Sequence, residues 1–376
     1  MRRAIATVVV TLLCLPTARA EEDKETPWYE RFTVRGYMQL RYDRLYATEE
    51  GFHNELADKA IGDESSFSLR RARLVLAGDV APRIAMYLQM EIAGAAAKMR
   101  DWYGDLALDR DKELRIRLGQ SKLPYGFENM QSSQNRLPLD RSDPINSAAP
   151  GERDLGAFVY WAPKATRKMF KYLVESGLKG SGDYGVLAVG AYAGQGLNVD
   201  DRDGRPHVVA RATYPMKLGE QIVEPGVQAY AGRVTPDKSP TTLGGDAIGD
   251  ARAGATLVVY PQPIGVQVEY NAGIGPELVG DTIRPRSVRG GYAMVHARIP
   301  TGAGVVSPYV RAAEYRGGIK SIKDAPHHAS KELVVGAEWL LHKRVELTME
   351  LDHAKRTVAD TTVWGTIVRA QVQLSY

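Results

Sequence analysis

The chain has 376 residues, a formal charge of +4, 44% hydrophobic and 25% charged residues, and a single cysteine, Cys14. One cysteine excludes a disulfide framework, and a charge this close to neutral argues against non-specific nucleic-acid binding, so no nucleic-acid partner is expected. After the opening apolar run no segment approaches the roughly 18 uninterrupted apolar residues of a membrane-crossing helix.

Arg2 and Arg3, the apolar run Ala4 to Leu15 and the small-x-small pattern Ala18-Arg19-Ala20 read as a cleaved secretory signal at 1–20. A lipoprotein signal at Cys14 is the rival reading, weakened by Leu13 where a small residue belongs. Loss of Arg2, Arg3 and Arg19 would lower the charge from +4 to +1 and remove the only thiol. Residues 21–30 are then a short periplasmic N-terminal segment, too short for a plug domain, and 31–376 a transmembrane β-barrel.

The barrel is expected from a period of two. On the first strand Phe32, Val34, Gly36, Met38, Leu40 and Tyr42 share one face, and Arg31, Thr33, Arg35, Tyr37, Gln39 and Arg41 the other. The pattern returns at Ile84 to Ala93, Leu333 to His342, Val345 to Asp352 and Trp364 to Tyr376. Runs of about 10 to 14 residues exceed the roughly 5 or 6 of soluble sheets and match the length needed to cross a bilayer at a tilt.

Short turns are expected at 79–83, 109–113, 217–221, 261–263, 300–303 and 342–344. Longer links are expected at 46–66, 94–100, 121–153, 195–205, 235–248, 275–286, 318–329 and 357–362. Eight long links imply an all-β antiparallel barrel of about 16 strands with both termini periplasmic, 18 remaining open. Residues 162–183 fit no strand in this count and read as a long periplasmic connection or a strand extension. The terminal aromatic, Tyr376, ends an alternating strand in the way that barrel-assembly machinery reads.

Three stretches carry a closer likeness: Phe67 to Gly78 with its Arg-Arg-Ala-Arg core, Leu114 to Phe127, and Pro150 to Gly156. In order and spacing they resemble the phosphate-selective porin O and P family. The resemblance implies an outer-membrane porin, a homotrimer of 16-stranded barrels, and a third loop, here 121–153, folded into the lumen as a constriction.

Alternation points Arg35, Arg41, Arg71, Arg73, Arg115 and Arg117 inward, with Arg70 near one strand end and Lys122 opening the third loop. The family's constriction arginines map by motif onto Arg70, Arg71 and Arg73. These eight side chains are the candidate pore-lining, solute-binding set, suited to small anions such as phosphate because a guanidinium donates paired hydrogen bonds in fixed geometry. The same alternation turns Glu91, Asp101, Asp105, Glu269, Glu338, Glu346, Glu350 and Asp352 inward. The third loop adds Asp140, Asp143 and Glu152. The arginines therefore either pair off as ordinary lumen lining or face an acidic loop across water.

Trp28, Tyr29, Trp102, Trp161, Trp339, Trp364 and Tyr376 read as interfacial girdles in contact with outer-membrane lipid. His327-His328 reads as part of a solvated loop rather than a metal site. No cofactor, metal or catalytic residue is expected. A barrel enzyme would need a nucleophile held beside a base, and the seven histidines are scattered. The expected function is passive diffusion of small solutes, anions such as phosphate foremost. The alternatives are a general diffusion porin without phosphate specificity and a structural or adhesive barrel.

Overall fold

The computed structural model describes residues 27–49, 52, 65–94, 96–201, 203–358 and 360–376. The signal sequence expected at 1–20 and most of the first long link lie outside the described residues.

Alternating strands form one antiparallel sheet that closes on itself as a 16-stranded barrel. In chain order its staves are β1 (Phe32–Thr48), β2 (Ser65–Ala81), β3 (Ile84–Glu91), β4 (Lys98–Ala107), β5 (Leu114–Lys122), β6 (Arg153–Trp161), β7 (Leu187–Tyr192) and β8 (His207–Thr213, continued by Met216–Leu218). Then follow β9 (Gln221–Val234), β10 (Ile248–Val259), β11 (Ile264–Val279), β12 (Thr282–Ala297, continued by Ile299–Thr301), β13 (Gly304–Gly318), β14 (His327–His342), β15 (Val345–Val358) and β16 (Thr361–Ser375). Pro215 interrupts β8 because it cannot donate to the ladder.

Each strand pairs with its chain neighbour, and β16 pairs with β1 from Ser375 opposite Tyr37 to Gly365 opposite Thr48. Closure leaves no free sheet edge. The outer wall is apolar: Val34, Leu118, Val189 and Val227 are each more than half exposed. The inner wall is polar, with Gln39, Arg41, Arg117, Glu269, Arg311 and Glu350 all buried. This inversion of a soluble protein's layering is the membrane-barrel pattern.

The six expected turns and eight expected links alternate as the sequence suggests. Two links tighten: β11 and β12 run on until only Gly280 and Asp281 separate them, and β15 and β16 until only 359 and 360 do. These strands reach 14 to 16 residues. Residues 162–183 are a connection and not a strand extension. Lys164–Glu175 form a helix, α3, that buries Thr166, Phe170 and Leu173 at spacings of four and three. The alternation expected of a strand does not register that 3.6-residue period.

His327 and His328 also depart from expectation. They begin β14 rather than lying in a solvated loop, and His328 is buried with Nε2 at 3.3 Å from an Asp143 carboxylate oxygen. The extended strand carries its inward residue on to meet a carboxylate of the third loop, which no local pattern announces.

Closure rests on the first and last strands. Gly36 N donates to Tyr376 O at 3.1 Å and Tyr376 N to Gly36 O at 2.9 Å. A Cβ at Gly36 would lie 2.3 Å from both the Arg73 carbonyl oxygen and the Tyr376 hydroxyl. Gly36→Ala is expected to cost about 1–3 kcal/mol by overpacking. The check is the temperature at which the heat-modifiable band unfolds in SDS gels, which should fall.

Candidate functional site

The lumen is divided by two insertions. The first is the third loop, residues 123–152, with the short helices α1 (Phe127–Met130) and α2 (Asp143–Ala148), nearly all of it buried. Its carboxylates and backbone are held by the wall. Asp140 accepts from Arg41 Nη1 at 2.6 Å and Arg70 Nη2 at 2.7 Å, with Arg71 at 3.7 Å and Arg369 at 4.0 Å. Glu128 meets Arg311 at 2.9 Å. Glu269 on β11 accepts from the backbone N–H groups of Phe127 and Glu128 at 3.1 and 3.2 Å. Glu350 on β15 accepts from Leu139 N at 3.0 Å. Arg252 on β10 donates to Ser147 Oγ at 2.7 Å. The loop therefore leans on β10–β15 and fills that side of the lumen.

The second insertion is 162–186. Lys179 Nζ reaches across to both oxygens of Glu338 on β14, at 2.5 and 2.7 Å. Gln131 and Asn135 of the third loop donate to the carbonyls of Lys179 and Gly180. Leu173 and Leu178 pack with Phe127, Ile222, Val258 and Tyr260. The connection rises into the barrel from the turn end and buttresses the loop that descends from the other.

Two vestibules stay open, one beside β1–β6 and one bounded by β4, β6, β7, β9 and the link after β13. The one at the turn end, about 460 Å³, is lined by five cations (Arg35, Arg73, Arg117, Lys122, Arg153) and two carboxylates (Asp101, Asp183). The one at the loop end, about 480 Å³, is lined by four cations (Lys98, Arg100, Arg153, Lys320) and two carboxylates (Asp154, Asp237). Arg153 lines both and so stands at their junction.

Glu152 anchors that junction. It pairs with Arg153, lies 3.3 Å from Arg141, and 3.8 Å from both Lys122 and Arg100. Gly151 and Glu152 both take positive φ, 71° and 74°. Two consecutive left-handed residues turn the chain sharply into β6 and aim the carboxylate among the four cations; the glutamate adopts a backbone that side chains other than glycine's seldom take. Burial alone would raise the Glu152 carboxyl, but Lys122, Arg141, Arg153 and Arg100 hold it well below the ordinary carboxylate range. Asp140 is depressed likewise: burial opposes ionisation, and Arg41, Arg70, Arg369 and Arg71 outweigh it.

Of the eight candidate side chains, Arg35, Arg73, Arg117 and Lys122 line the turn-end vestibule. Arg117 is held bidentate by Asp105 at 2.7 and 2.8 Å and lies 3.8 Å over the Tyr103 ring. Lys122 Nζ donates to the carbonyls of Asn129 at 2.8 Å and Gln131 at 2.5 Å. The other four face the insertions: Arg41, Arg70 and Arg71 turn to Asp140, and Arg115 to Asp183 at 2.8 Å. The inward carboxylates are paired in place, Glu91 with Arg73, Asp101 with Arg153 and Asp105 with Arg117. Asp140 and Glu152 touch their cations directly and face no arginine wall across water.

Lys98, Arg100, Arg141, Arg153 and Lys320 are the members that sequence reasoning missed. Arg153 sits inside the quoted Pro150 to Gly156 stretch, but it shares the parity of Leu155, Val159 and Trp161 on the outer wall, so alternation on β6 gave no signal for it. Lys98 and Arg100 belong to β4, not to the link expected at 94–100. Among the described residues no group of histidine, cysteine and carboxylate side chains is arranged to hold a metal ion.

Comparison with known proteins places this architecture. The sequence matches the family described as "Phosphate-selective porin O and P" over residues 50–251. No curated protein matches it. Solved structures do. The outer-membrane channel DcaP of Acinetobacter baumannii superposes with a TM-score of 0.56 at 11% identity, over 92% of this chain and 97% of that one. The anion-selective porin from Comamonas acidovorans gives 0.55 at 14% identity, over 92% and 99%. The trimer form of OmpT from Vibrio cholerae gives 0.52 at 10% identity, over 92% and 99%. At such identities the likeness is one of fold.

Asp140→Asn removes the charge that four buried arginines share and is expected to cost about 3–5 kcal/mol, the range for breaking a buried ion pair. Limited proteolysis of the folded barrel checks it: new cleavage within 123–152 is the expected result. The pH dependence has a definite sign. Because the folded carboxyls of Asp140 and Glu152 are depressed, their contribution is fully present above the ordinary carboxyl range. It is lost only as the pH falls through the depressed folded values. Protease resistance of the loop should therefore hold from neutral pH through the ordinary carboxyl range and fail only in stronger acid.

Proposed function

The chain belongs to the phosphate-selective porin O and P family and is an outer-membrane porin, and from that premise we propose that its passage favours small anions, phosphate among them. The observation that carries this reading is the junction at Arg153, where four cations surround one loop carboxylate and both adjoining vestibules hold more cations than carboxylates. Charged rings at the narrowest point set the sign of the ions that pass. The solute gradient drives transport, and Arg35, Arg73, Arg100, Arg117 and Arg153 lower the electrostatic barrier for an anion along the β1–β6 side.

Arg41, Arg70, Arg71 and Arg115 have a different part in this reading. They hold the insertions that make the passage narrow and act on solutes through its shape. Lys122, already donating to two carbonyls, contributes field more than a free donor. Because the cations at the junction all have protein partners, anion preference without a tight phosphate cage is the form of selectivity that fits best. The anion-selective porin from Comamonas acidovorans shares the fold and supports the same direction. We read the protein as a channel and not an enzyme. A homotrimer is the proposed assembly, in keeping with the trimer form of OmpT. Export by a signal at 1–20 and insertion by the barrel-assembly machinery complete the reading.

The test is the reversal potential of single channels in a planar bilayer under a KCl gradient. Wild type should be anion-selective. A unit charge at about 4 Å in water is worth about 1 kcal/mol, or roughly fivefold in a permeability ratio. Glu152→Gln should therefore raise the chloride-to-potassium ratio by about that factor and Arg153→Gln lower it. Opposite shifts from adjacent residues mark the junction as the selective point. Shifts of the same sign, or none, would remove it from the route. Phosphate should lower the chloride current by competition; a tight, saturable block would instead mark a dedicated phosphate cage.

A further inference from the structure

The outward face of β12–β15 carries charge only towards its loop end. Reading up each strand towards the loop end, β12 passes from Val295, Ala293 and Gly291 to Arg289, and β13 from Val310 and Ala312 to Glu314 and Arg316. On β14 the change is from Val335 and Leu333 to Lys331, and on β15 from Met349 and Leu351 past His353 to Lys355. The apolar band thus ends on all four strands in a row of cations at its upper rim.

The row sets like charges against each other. Arg289 lies directly opposite Arg316, and Lys331 directly opposite Lys355. Such cross-strand pairs are destabilising by themselves. Glu314, opposite Lys331, is the one carboxylate on this outward patch. Among the described residues Arg289, Arg316, Lys331 and Lys355 make no side-chain hydrogen bond or ion pair, and all four are exposed. A groove of about 540 Å³ runs between them. Directly beneath it a second groove of about 550 Å³ follows the wall over Gly291, Ala293 and Ala312, flanked by Val268, Tyr270 and Leu333. The two share Glu314, Lys331 and Lys355.

An occupant must be anionic above and apolar below, at the level where the outer leaflet's headgroups meet its acyl chains. We propose that this face is a binding site for a phosphorylated glycolipid of the outer leaflet. Its headgroup phosphates sit among Arg289, Arg316, Lys331 and Lys355, and an acyl chain lies in the small-residue groove below. The small side chains leave room for the chain, and the net charge of the rim selects phosphate-bearing lipid over zwitterionic lipid. The site faces away from the lumen and is independent of what the channel conducts.

Native mass spectrometry of the purified full-length protein tests this, with diphosphorylated lipid A, phosphatidylethanolamine and inorganic phosphate as the added species. Wild type should retain lipid A in preference to phosphatidylethanolamine, and inorganic phosphate should not displace it. At about a tenfold or smaller contribution per surface cation, the triple variant Arg316→Gln/Lys331→Gln/Lys355→Gln should bind lipid A about a hundredfold more weakly. Its heat-modifiable band and single-channel conductance should match wild type. Ala312→Leu, which fills the groove, should weaken lipid A binding with the cations intact. If the triple variant does not fold, Lys331→Gln alone is read the same way, for a several-fold loss. Equal retention of both lipids, unchanged lipid A binding in a folded variant, or displacement by inorganic phosphate would each overturn the proposal.

Discussion

Asp140 and Glu152 are loop carboxylates buried among wall cations, and the shape of the lumen follows from where those cations are. Burying a carboxylate costs several kcal/mol unless partners restore what water supplied. Each of these two has four cations within 4.0 Å. Asp140 ties the middle of the third loop to β1, β2 and β16, and Glu152 ties its end to β4, β5 and β6. Between the two ties Glu128, Glu269 and Glu350 hold α1 and the residues before α2 against β11, β13 and β15. A loop fixed at so many points cannot hang free, and the two vestibules are the space it leaves.

The connection 162–186 makes the arrangement two-sided. Lys179 crosses to Glu338, and the carbonyls of Lys179 and Gly180 receive donors from the loop above. Leu173 and Leu178 bury their surface against Phe127 and the β9–β10 wall. The narrow part of the channel is therefore an assembly of loop, helix-bearing connection and wall. One arginine cannot serve fully both as a loop anchor and as a solute contact. The chain divides the work: the Asp140 group holds the loop, and Arg100 and Arg153 line the vestibules.

Much of this architecture was legible in the sequence, because a period of two survives in any strand with one wet and one lipid-facing side. Phe32 to Tyr42 and Trp364 to Tyr376 display it openly, and the alternation of short turns and long links led to 16 strands. Three features were not legible for identifiable reasons. Alternation says that Arg41 and Arg73 both point inward but not that Arg41 meets Asp140 of the third loop and Arg73 its Ser133, since those partners lie far along the chain, Asp140 about a hundred residues from Arg41. The helix Lys164–Glu175 has its buried residues at 166, 170 and 173, a period that an alternation count reads as noise. His328 looked like loop because its partner, Asp143, comes from the opposite side of the chain's order. Arg153 was out of reach as well, since it opens β6 on the parity that alternation assigns to the lipid-facing wall.

The central claim is that ions pass the Arg153 junction and bypass the Asp140 group. It is tested most directly by cysteine substitution on a chain whose one native cysteine is Cys14. Single-channel current is recorded while a negatively charged methanethiosulfonate is added to either side. Arg153→Cys should react from both sides and lose most of its anion current on modification, whereas Ser147→Cys, buried where α2 meets β10, should not react. Reaction at 147 with no effect at 153 would place the route on the far side of the loop and contradict the account.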